Sequence, residues 1–406
     1  NGRELLAAQL PGVVRELEQL AAEIIVVDNG SDDGTAEGRR GEGPRVEVEV
    51  SSEALSVARA VNRGIRRARY SHVCLLNNDM SLQPGFFGPL GEAFDSVPDL
   101  FCATAQIRFP EGVRREETGK AVMAQDAPED FPIRCDLPMR GEDLSYVLYG
   151  SGGCSVYDAA KLRALGELDE AYEPAYVEDL DIGYRAWQHG WPTVYVGRAV
   201  VEHRHRATTS RYYTPEELDT MLEVNYLRFL ARAVAGPKLF RRLWKQAVTR
   251  LRLGAARHPA MRRALEASAH IAIAGGAAAD PVFPEESFLA LTDGSVAVFP
   301  GRAPSGKPRS MAVAATPRGR RGLPGADQVI VAFTKRLETP PAELLASCVE
   351  VVLVQRRGKA NQAEPAFQAA LRLTARKWQP AEAHIISREM TVYSPQCAPA
   401  KIVLSK

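Results

Sequence analysis

No run of about 18 uninterrupted apolar residues occurs in this sequence, so no segment reads as a helix able to cross a bilayer. The amino-terminal stretch also lacks a basic region followed by an apolar one, the pattern of a secretory signal. Excess charge is missing: 51 Lys plus Arg stand against 50 Asp plus Glu, a net charge of +1. Without a global positive field nothing draws the whole chain to nucleic acid, which is not expected as a partner, and any basic surface must be local. Paired cysteine motifs are absent too. Cys74, Cys102, Cys135, Cys154, Cys348 and Cys397 stand singly, with no CxxC and no zinc-like Cys/His spacing. They suit reduced thiols in a cytosolic protein.

What remains is globular material. The 406 residues are 45% hydrophobic and 25% charged, too apolar for a disordered chain and long enough for two domains. An amphipathic helical pattern through Leu5, Leu6, Leu10, Val13, Val14, Leu17 and Leu20 opens the chain. Strands are expected at Ile24 to Val27, Val46 to Val50 and Val73 to Leu76, with a helix over Ser56 to Ala68 before the last. This alternation predicts, for residues 1–212, an α/β domain with a mostly parallel sheet and helices on both faces. Ligands of open α/β sheets lie at the carboxyl ends of strands, so Asp28 to Thr35 and Asn77 to Asp79 are expected at one crevice. The pattern starts on a helix at Asn1, with no Met, and a first strand is expected to be missing upstream.

Residues 213–273 read as helices. Between Lys238 and Arg263 there are nine Lys or Arg and no Asp or Glu, beside an apolar stripe of Leu239, Phe240, Leu243, Trp244, Val248 and Leu251. Two readings stay open: a segment lying on an anionic membrane surface, where each cation contributes about 1 kcal/mol, or a helix packed on the domain with a solvated basic edge. Residues 274–325 are expected as linker and irregular loop, starting from the Gly/Ala-rich stretch at 274–281. Residues 326–406 read as a second, partial Rossmann-like α/β unit. Its expected strands are Gln328 to Phe333 and Val349 to Val354, its helices lie near Pro341 to Ser347 and over Ala366 to Trp378, and two apolar runs follow at His384 to Ile386 and Ile402 to Leu404. The chain stops directly after the last run, so the carboxyl end is also expected to be cut.

Three polar constellations can carry chemistry. In Val26-Val27-Asp28-Asn29-Gly30-Ser31-Asp32-Asp33-Gly34-Thr35, a carboxylate at a strand end precedes a tight turn whose amides can approach a ligand. Leu76-Asn77-Asn78-Asp79 ends another strand in a carboxylate, which suits a hard divalent cation sharing oxygen ligands with phosphates. Tyr176-Val177-Glu178-Asp179-Leu180-Asp181 places carboxylates at a helix N-terminus, where the dipole favours their ionised form. Each has a bland counterpart: a structural turn, a helix cap, a cap again. His203 follows a strand-like run and reads equally as a metal ligand or a surface histidine.

Taken together these stretches resemble the family 2 glycosyltransferases of GT-A fold, particularly the rhamnosyltransferase-like members, over residues 1 to about 230. The carriers are Val27 to Ser31 with Asp33-Gly34-Thr35, Asn62-Arg63-Gly64, Leu76 to Asp79, Gly150-Ser151-Gly152-Gly153, Leu165 to Glu170, and Glu178-Asp179 followed by Gly190-Trp191 and His203. The resemblance implies an inverting enzyme that moves a sugar from a nucleotide-diphosphate donor to a glycan or lipid-linked acceptor, in cell-surface polysaccharide synthesis at the cytoplasmic membrane face. It assigns Asp28, Asn29, Ser31, Asn62, Asn77, Asn78 and Asp79 to the donor, and Asp79 with His203 to Mg²⁺ or Mn²⁺. Asp179, beside Glu178, becomes the general base. Gly152, Gly153 and Trp191 line donor and acceptor. Asn77 and Asn78 depart from the acidic metal motif of the family. The carboxyl-terminal unit resembles, on Asp327 to Phe333, Val349 to Val354, Phe367 to Trp378, Met390 to Tyr393 and Cys397 to Ala400, the amino-terminal half of a family 4 glycosyltransferase of GT-B fold. Two other readings are a nucleotidyltransferase that makes sugar nucleotides and a noncatalytic fragment of a bifunctional transferase.

Overall fold

A computed structural model of the chain describes residues 2–35, 46–114, 119–123, 128–204, 212–273, 283–302, 308–314, 328–355, 360–380, 382–385 and 401–404. The amphipathic opening forms helix α1 (Arg3–Glu16), followed by the parallel pair β1 (Ile24–Asn29) and β2 (Val46–Ser51). Helix α2 (Val57–Arg67) starts where the Ser56 side chain accepts a hydrogen bond from the Arg59 amide, a cap that supplies one orphan donor with a partner. Its buried face, Ala58, Asn62 and Ile65, has helical spacing.

The chain then runs through β3 (His72–Leu76), β4 (Met80–Leu82), α3 (Phe87–Ser96), β5 (Cys102–Arg108), the hairpin β6 (Lys120–Met123) and β7 (Ile133–Asp136), β8 (Ser145–Val147) and β9 (Cys154–Asp158). Helices α4 (Ala159–Ala164) and α5 (Glu178–Gln188) precede the long strand β10 (Thr193–His203). The sheet built from these strands has the order β3-β9-β5-β10-β4, with β8 also on β10. Only β5 and β10 pair in parallel; β3 with β9, β9 with β5, and β10 with β4 and β8 are antiparallel. The sheet is therefore mixed, where helix–strand alternation predicts a mostly parallel one. Alternation cannot set direction here, because β9 reaches its place between β3 and β5 through a long excursion without a crossover helix. Among the described residues β1 pairs only with β2, and β3 only with β9.

The expected helical segment forms α6 (Pro215–Ala233), α7 (Pro237–Gly254) and α8 (Pro259–Ala267). Thr214 and Glu217 cap α6 reciprocally, and those hydrogen bonds lower the Glu217 carboxyl below its usual range. On α7 one cation turns inward: Arg250 pairs with buried Glu223 of α6 at 2.6 Å and lies 3.8 Å from the Phe131 ring centroid. Lys238, Arg241, Arg242, Lys245 and Arg252 stay exposed on the opposite face.

Residues 274–325 are not all linker. The stretch at 274–282 lies outside the described residues, but α9 (Glu285–Thr292), β11 (Val296–Pro300) and β12 (Ser310–Ala314) follow. They belong to a six-stranded sheet completed by β13 (Gln328–Thr334), α10 (Ala342–Ala346), β14 (Glu350–Gln355), α11 (Ala360–Trp378), β15 (Glu382–Ile385) and β16 (Lys401–Leu404), in the order β11-β14-β13-β12-β15-β16. Flanking Pro and Arg hide the short apolar runs of β11 and β12 in the sequence. Met390 to Tyr393 and Cys397 to Ala400 lie outside the described residues.

The two sheets share one core. Phe288 of α9 is fully buried, with its ring centroid 6.0 Å from Trp187 in a stacked arrangement and 5.0 Å from Tyr184 edge-on, both on α5. Glu285, also on α9, accepts from Gln188 Nε2 at 2.9 Å and from the amides of Ala235 and Gly236. Beneath the hairpin Lys120 and Glu142, both buried, pair at 2.7 Å, and the Ser145 hydroxyl donates to Glu142. No disulfide joins the described cysteines, and burial pushes the Cys74 thiol up to about 12. Among the described residues no helix is long and apolar enough to cross a membrane. Phe288→Ala, which removes the aromatic joining the two sheets, is expected to destabilise the protein by about 3–5 kcal/mol. Calorimetry should still show one transition; two separated transitions would show that the units unfold independently.

Candidate active site

The end of β3 and the start of α5 meet at a glycine turn, and the start of α1 ties the loop after β1 to the same neighbourhood. β1 ends in buried Asp28, whose Oδ1 accepts from the Ser31 amide at 3.3 Å. Gly30 makes the turn at φ 70°, and a Cβ there would come within 3.0 Å of the Ala54 amide nitrogen. Asp33 accepts from the Arg3 amide at 3.0 Å and from the Thr35 amide and hydroxyl; the hydroxyl bond above all lowers its carboxyl to about 2. The neighbouring residue, Gly2, lies so close to Asn78 that a side chain there would collide with Nδ2. The start of α1 thus joins the Asp28–Thr35 loop to the Asn77–Asp79 loop.

That second loop is tied on both sides. The Asn77 amide donates to the Gly153 carbonyl at 2.9 Å, and Gln9 of α1 donates to the carbonyls of Asn77 and Met80. β10 pairs His203 with Met80 and sets the His203 ring beside Asp79, with Nε2 3.3 Å from Asp79 Oδ1. That carboxylate oxygen is buried and receives no hydrogen bond. A buried carboxylate oxygen lacking a hydrogen bond, next to an imidazole nitrogen, is a donor pair that a divalent cation fits. Among the described residues no third His, Cys, Asp or Glu joins it, so phosphates and water would complete the shell.

Across the glycine turn lies the start of α5. The Gly152 amide donates to Asp179 Oδ2 at 3.2 Å, and a Cβ on Gly152 would stand 3.6 Å from Asp179 Cβ. On the other side, a Cβ on Gly153 would stand 2.7 Å from Asn77 Nδ2 and 2.8 Å from Met80 Cε. Residues 77–79 and 179 therefore flank one two-residue turn. Tyr176 and Val177 enter α5 at φ 75° and 79°, a region that costs non-glycine residues roughly 1–3 kcal/mol. Burial first, and the Asp179 charge second, push the Glu178 carboxyl up to about 8; its Oε2 is buried without a hydrogen-bond partner. Asp181 has a different task, accepting from the Tyr172 hydroxyl at 2.9 Å and pairing with Arg185 at 2.7 Å.

Three residues expected to touch donor or acceptor are engaged elsewhere. Asn62, fully buried, exchanges hydrogen bonds with the backbone of Leu168 and donates to Glu170. Asn29 does the same with the backbone of Leu55. Both staple loops, because a buried carboxamide satisfies a backbone amide and carbonyl together. Trp191 stacks on His189 at 5.0 Å and packs beside the core around α2 and β9. It follows the carboxyl end of α5, whose 11 residues span about 16 Å from the Glu178–Asp179 end. Sequence reasoning missed Gln9, Asp33 and the start of α1; Asp33 sat in a quoted motif, whereas nothing local marks Gln9.

Residues 4–166 match the family model described as glycosyl transferase family 2. The match lies within the amino-terminal unit and takes in less than half of the chain. The chain is similar to N-acetylglucosaminyl-diphospho-decaprenol L-rhamnosyltransferase of Mycobacterium tuberculosis, at 27% identity over 210 residues covering 46% of this chain and 68% of the relative. Among solved structures it is similar to GalNAc-T7 with UDP, GalNAc and Mn²⁺ (TM-score 0.46, 15% identity, 64% of this chain). It spans about half, 51%, of that chain's length. A mannosyltransferase of Pyrobaculum calidifontis with GDP-Man and Mn²⁺ gives TM-score 0.41 and 15% identity over 66% of this chain and 77% of its own.

A carboxyl raised to about 8 from its ordinary value near 4.5 makes the native protein hold more protons than the unfolded chain between those values. Stability then falls as pH rises through that window. Glu178→Gln is therefore expected to raise Tm by several degrees at pH 9 and to leave it nearly unchanged at pH 4.5. Thermal melts at the two pH values check this; an equal shift at both would place the effect outside ionisation.

Proposed function

We propose that the chain is an inverting, metal-assisted glycosyltransferase that passes a sugar from a nucleotide diphosphate to a hydroxyl of a glycan or lipid-linked glycan, in cell-surface polysaccharide synthesis. The observation that carries this reading is the glycine turn with Asp79 and His203 on one side and Asp179 on the other. Asp28 and the amides of its turn, with Ser31, receive the nucleotide; Asn77 and Asn78 line the path to the diphosphate. Asp79 and His203 hold Mg²⁺ or Mn²⁺, which supplies charge neutralisation on the diphosphate when bound. Gly152 and Gly153, without side chains, let the sugar lie against backbone.

Asp179 takes the proton of the acceptor hydroxyl while that oxygen attacks the anomeric carbon opposite the leaving diphosphate, and the configuration inverts. A base must be ionised to act. Burial pushes the neighbouring Glu178 carboxyl upward, and the Gly152 amide orients Asp179. The test is release of nucleoside diphosphate from UDP-, GDP- and dTDP-sugars in the presence of Mn²⁺. Asp179→Asn is expected to lower kcat by roughly 10²–10⁴-fold, and Asp79→Ala to abolish the dependence on Mn²⁺. A noncatalytic fragment would release no nucleotide from any donor; a nucleotidyltransferase would yield nucleoside monophosphate chemistry insensitive to Asp179→Asn.

For the second sheet, the parallel order β14-β13-β12-β15-β16 is that of a dinucleotide-binding half, which supports reading it as a partial GT-B-like unit. The exposed face of α7 supports a peripheral contact with the cytoplasmic membrane surface near a lipid-linked acceptor. Lys238, Arg241, Arg242, Lys245 and Arg252 recur there at helical spacing, exposed and without an ion pair among the described residues. Sedimentation with vesicles containing phosphatidylglycerol should show binding that vesicles of phosphatidylcholine alone do not. Replacing Lys245 and Arg252 together by Gln should weaken it roughly tenfold or more; equal binding to both vesicle types would remove the electrostatic contact.

A further inference from the structure

The backbone that delivers Glu178 and Asp179 is strained. Tyr176 and Val177 are both left-handed, and a β-branched residue such as Val177 is rarest there. Such a conformation persists only where its surroundings over-determine it. Much of that constraint comes from α6, which lies outside the family 2 match. Asn225, fully buried, donates from Nδ2 to the Ala175 carbonyl at 2.8 Å and to the Tyr176 carbonyl at 3.2 Å. Its Oδ1 accepts from Arg228 at 2.8 Å, and the same arginine nitrogen reaches the carbonyls of Ala171 at 3.3 Å and Glu173 at 3.5 Å. From α2, the Val57 amide donates to the Pro174 carbonyl at 2.9 Å. The carbonyls of 171 and 173–176 are thus all engaged from two neighbouring helices, and Asn225 is the side chain that reaches the left-handed pair itself.

We propose that Asn225 is a positioning residue for the transfer reaction: by holding the carbonyls of Ala175 and Tyr176 it maintains the left-handed entry to α5 and keeps Asp179 against the Gly152 amide. This rests on the function proposed above, in which Asp179 is the base. A carboxamide suits the task, because one short side chain offers two donors to the loop and an acceptor to Arg228. Without it two buried carbonyls lose their donor and the backbone can relax out of the left-handed region. The start of α5 then shifts relative to Gly152. The donor loop of Asp28 to Thr35 belongs to other elements, so donor binding is unaffected and turnover carries the loss.

The experiment combines hydrogen exchange with kinetics on the full chain. In Asn225→Ala, exchange across residues 171–180 should rise at least tenfold while that of α2 is unchanged. With the most active donor of the UDP-, GDP- and dTDP-sugar panel, kcat should fall 10- to 100-fold and KM should stay within twofold. Adding Tyr176→Gly, which removes the steric objection to a positive φ, should recover kcat several-fold; a residue that only stabilises the fold would show no such rescue. Unchanged exchange over 171–180, or unchanged kcat in an active enzyme, overturns the assignment. Should the wild-type chain turn over no donor, the transferase reading fails by itself, and the exchange result alone decides whether Asn225 holds the loop. If Asn225→Ala does not fold, Arg228→Gln is judged by the same criteria with smaller effects in the same direction.

Discussion

At the centre of this molecule a two-glycine turn packs so closely on the loop after β3 that a side chain on Gly153 would collide with Asn77 and Met80. Residues Gly152 and Gly153 sit between the end of β3 and the start of α5, and a Cβ on Gly153 would stand 2.7 Å from the side-chain Nδ2 of Asn77. Because Gly153 carries no side chain, one turn can accept from the Asn77 amide on one side while the Gly152 amide donates to Asp179 on the other. The chemistry proposed for the chain depends on this contact. Separate the two loops by the width of a methyl group and the turn can no longer contact both the Asn77 loop and the start of α5.

Around that turn the fold supplies support in layers. Helix α1 links the Asp33 and Asn78 loops through its first residues, and Gln9 ties its body to the Asn77–Met80 turn. Helix α5 carries Glu178 and Asp179 at one end and is anchored at the other by Gln188 and Trp187, which meet Glu285 and Phe288 of α9. The second sheet is therefore not an appendage hung on a linker. Its first helix packs on the helix that bears the proposed base, and aromatic burial of this kind is a large share of what holds two units in register.

Much of the fold was legible. Helix α2 is bounded by Ser56 and Ala68, where its cap and amphipathic spacing place it, and the strands expected from apolar runs, β1 to β3 and β13 to β16 among them, lie within a residue or two of those runs. By contrast β4 to β9 were not anticipated as strands, and β10 only as a strand-like run before His203. The candidate site was legible as a set of motifs, since Asp28, Asp79, Glu178, Asp179 and the Gly150 to Gly153 turn all stand at strand ends or a helix start. Less legible was the division of labour among polar residues. Asn29 and Asn62 sit in the same motifs as Asp28 and Asp79, yet their carboxamides bond loop backbone, and a carboxamide that staples looks the same in a string of letters as one that binds ligand. Strands β11 and β12 escaped because short apolar runs flanked by Pro and Arg resemble loop.

The one-dimensional order of residues by itself determined the helices such as α2, the strands with clear apolar runs, the helix caps, the apolar faces and the chemical character of those strand ends, because these depend on neighbours within a turn or two of chain. Tertiary structure alone decided strand direction in the mixed sheet, the meeting of Asp79 with His203 across β4 and β10, the upward shift of the Glu178 carboxyl and the grip of Asn225 on a loop about 50 residues away. Each of these is set by which groups are brought close and which are removed from water. Proximity and desolvation belong to the folded arrangement and have no local signature in sequence.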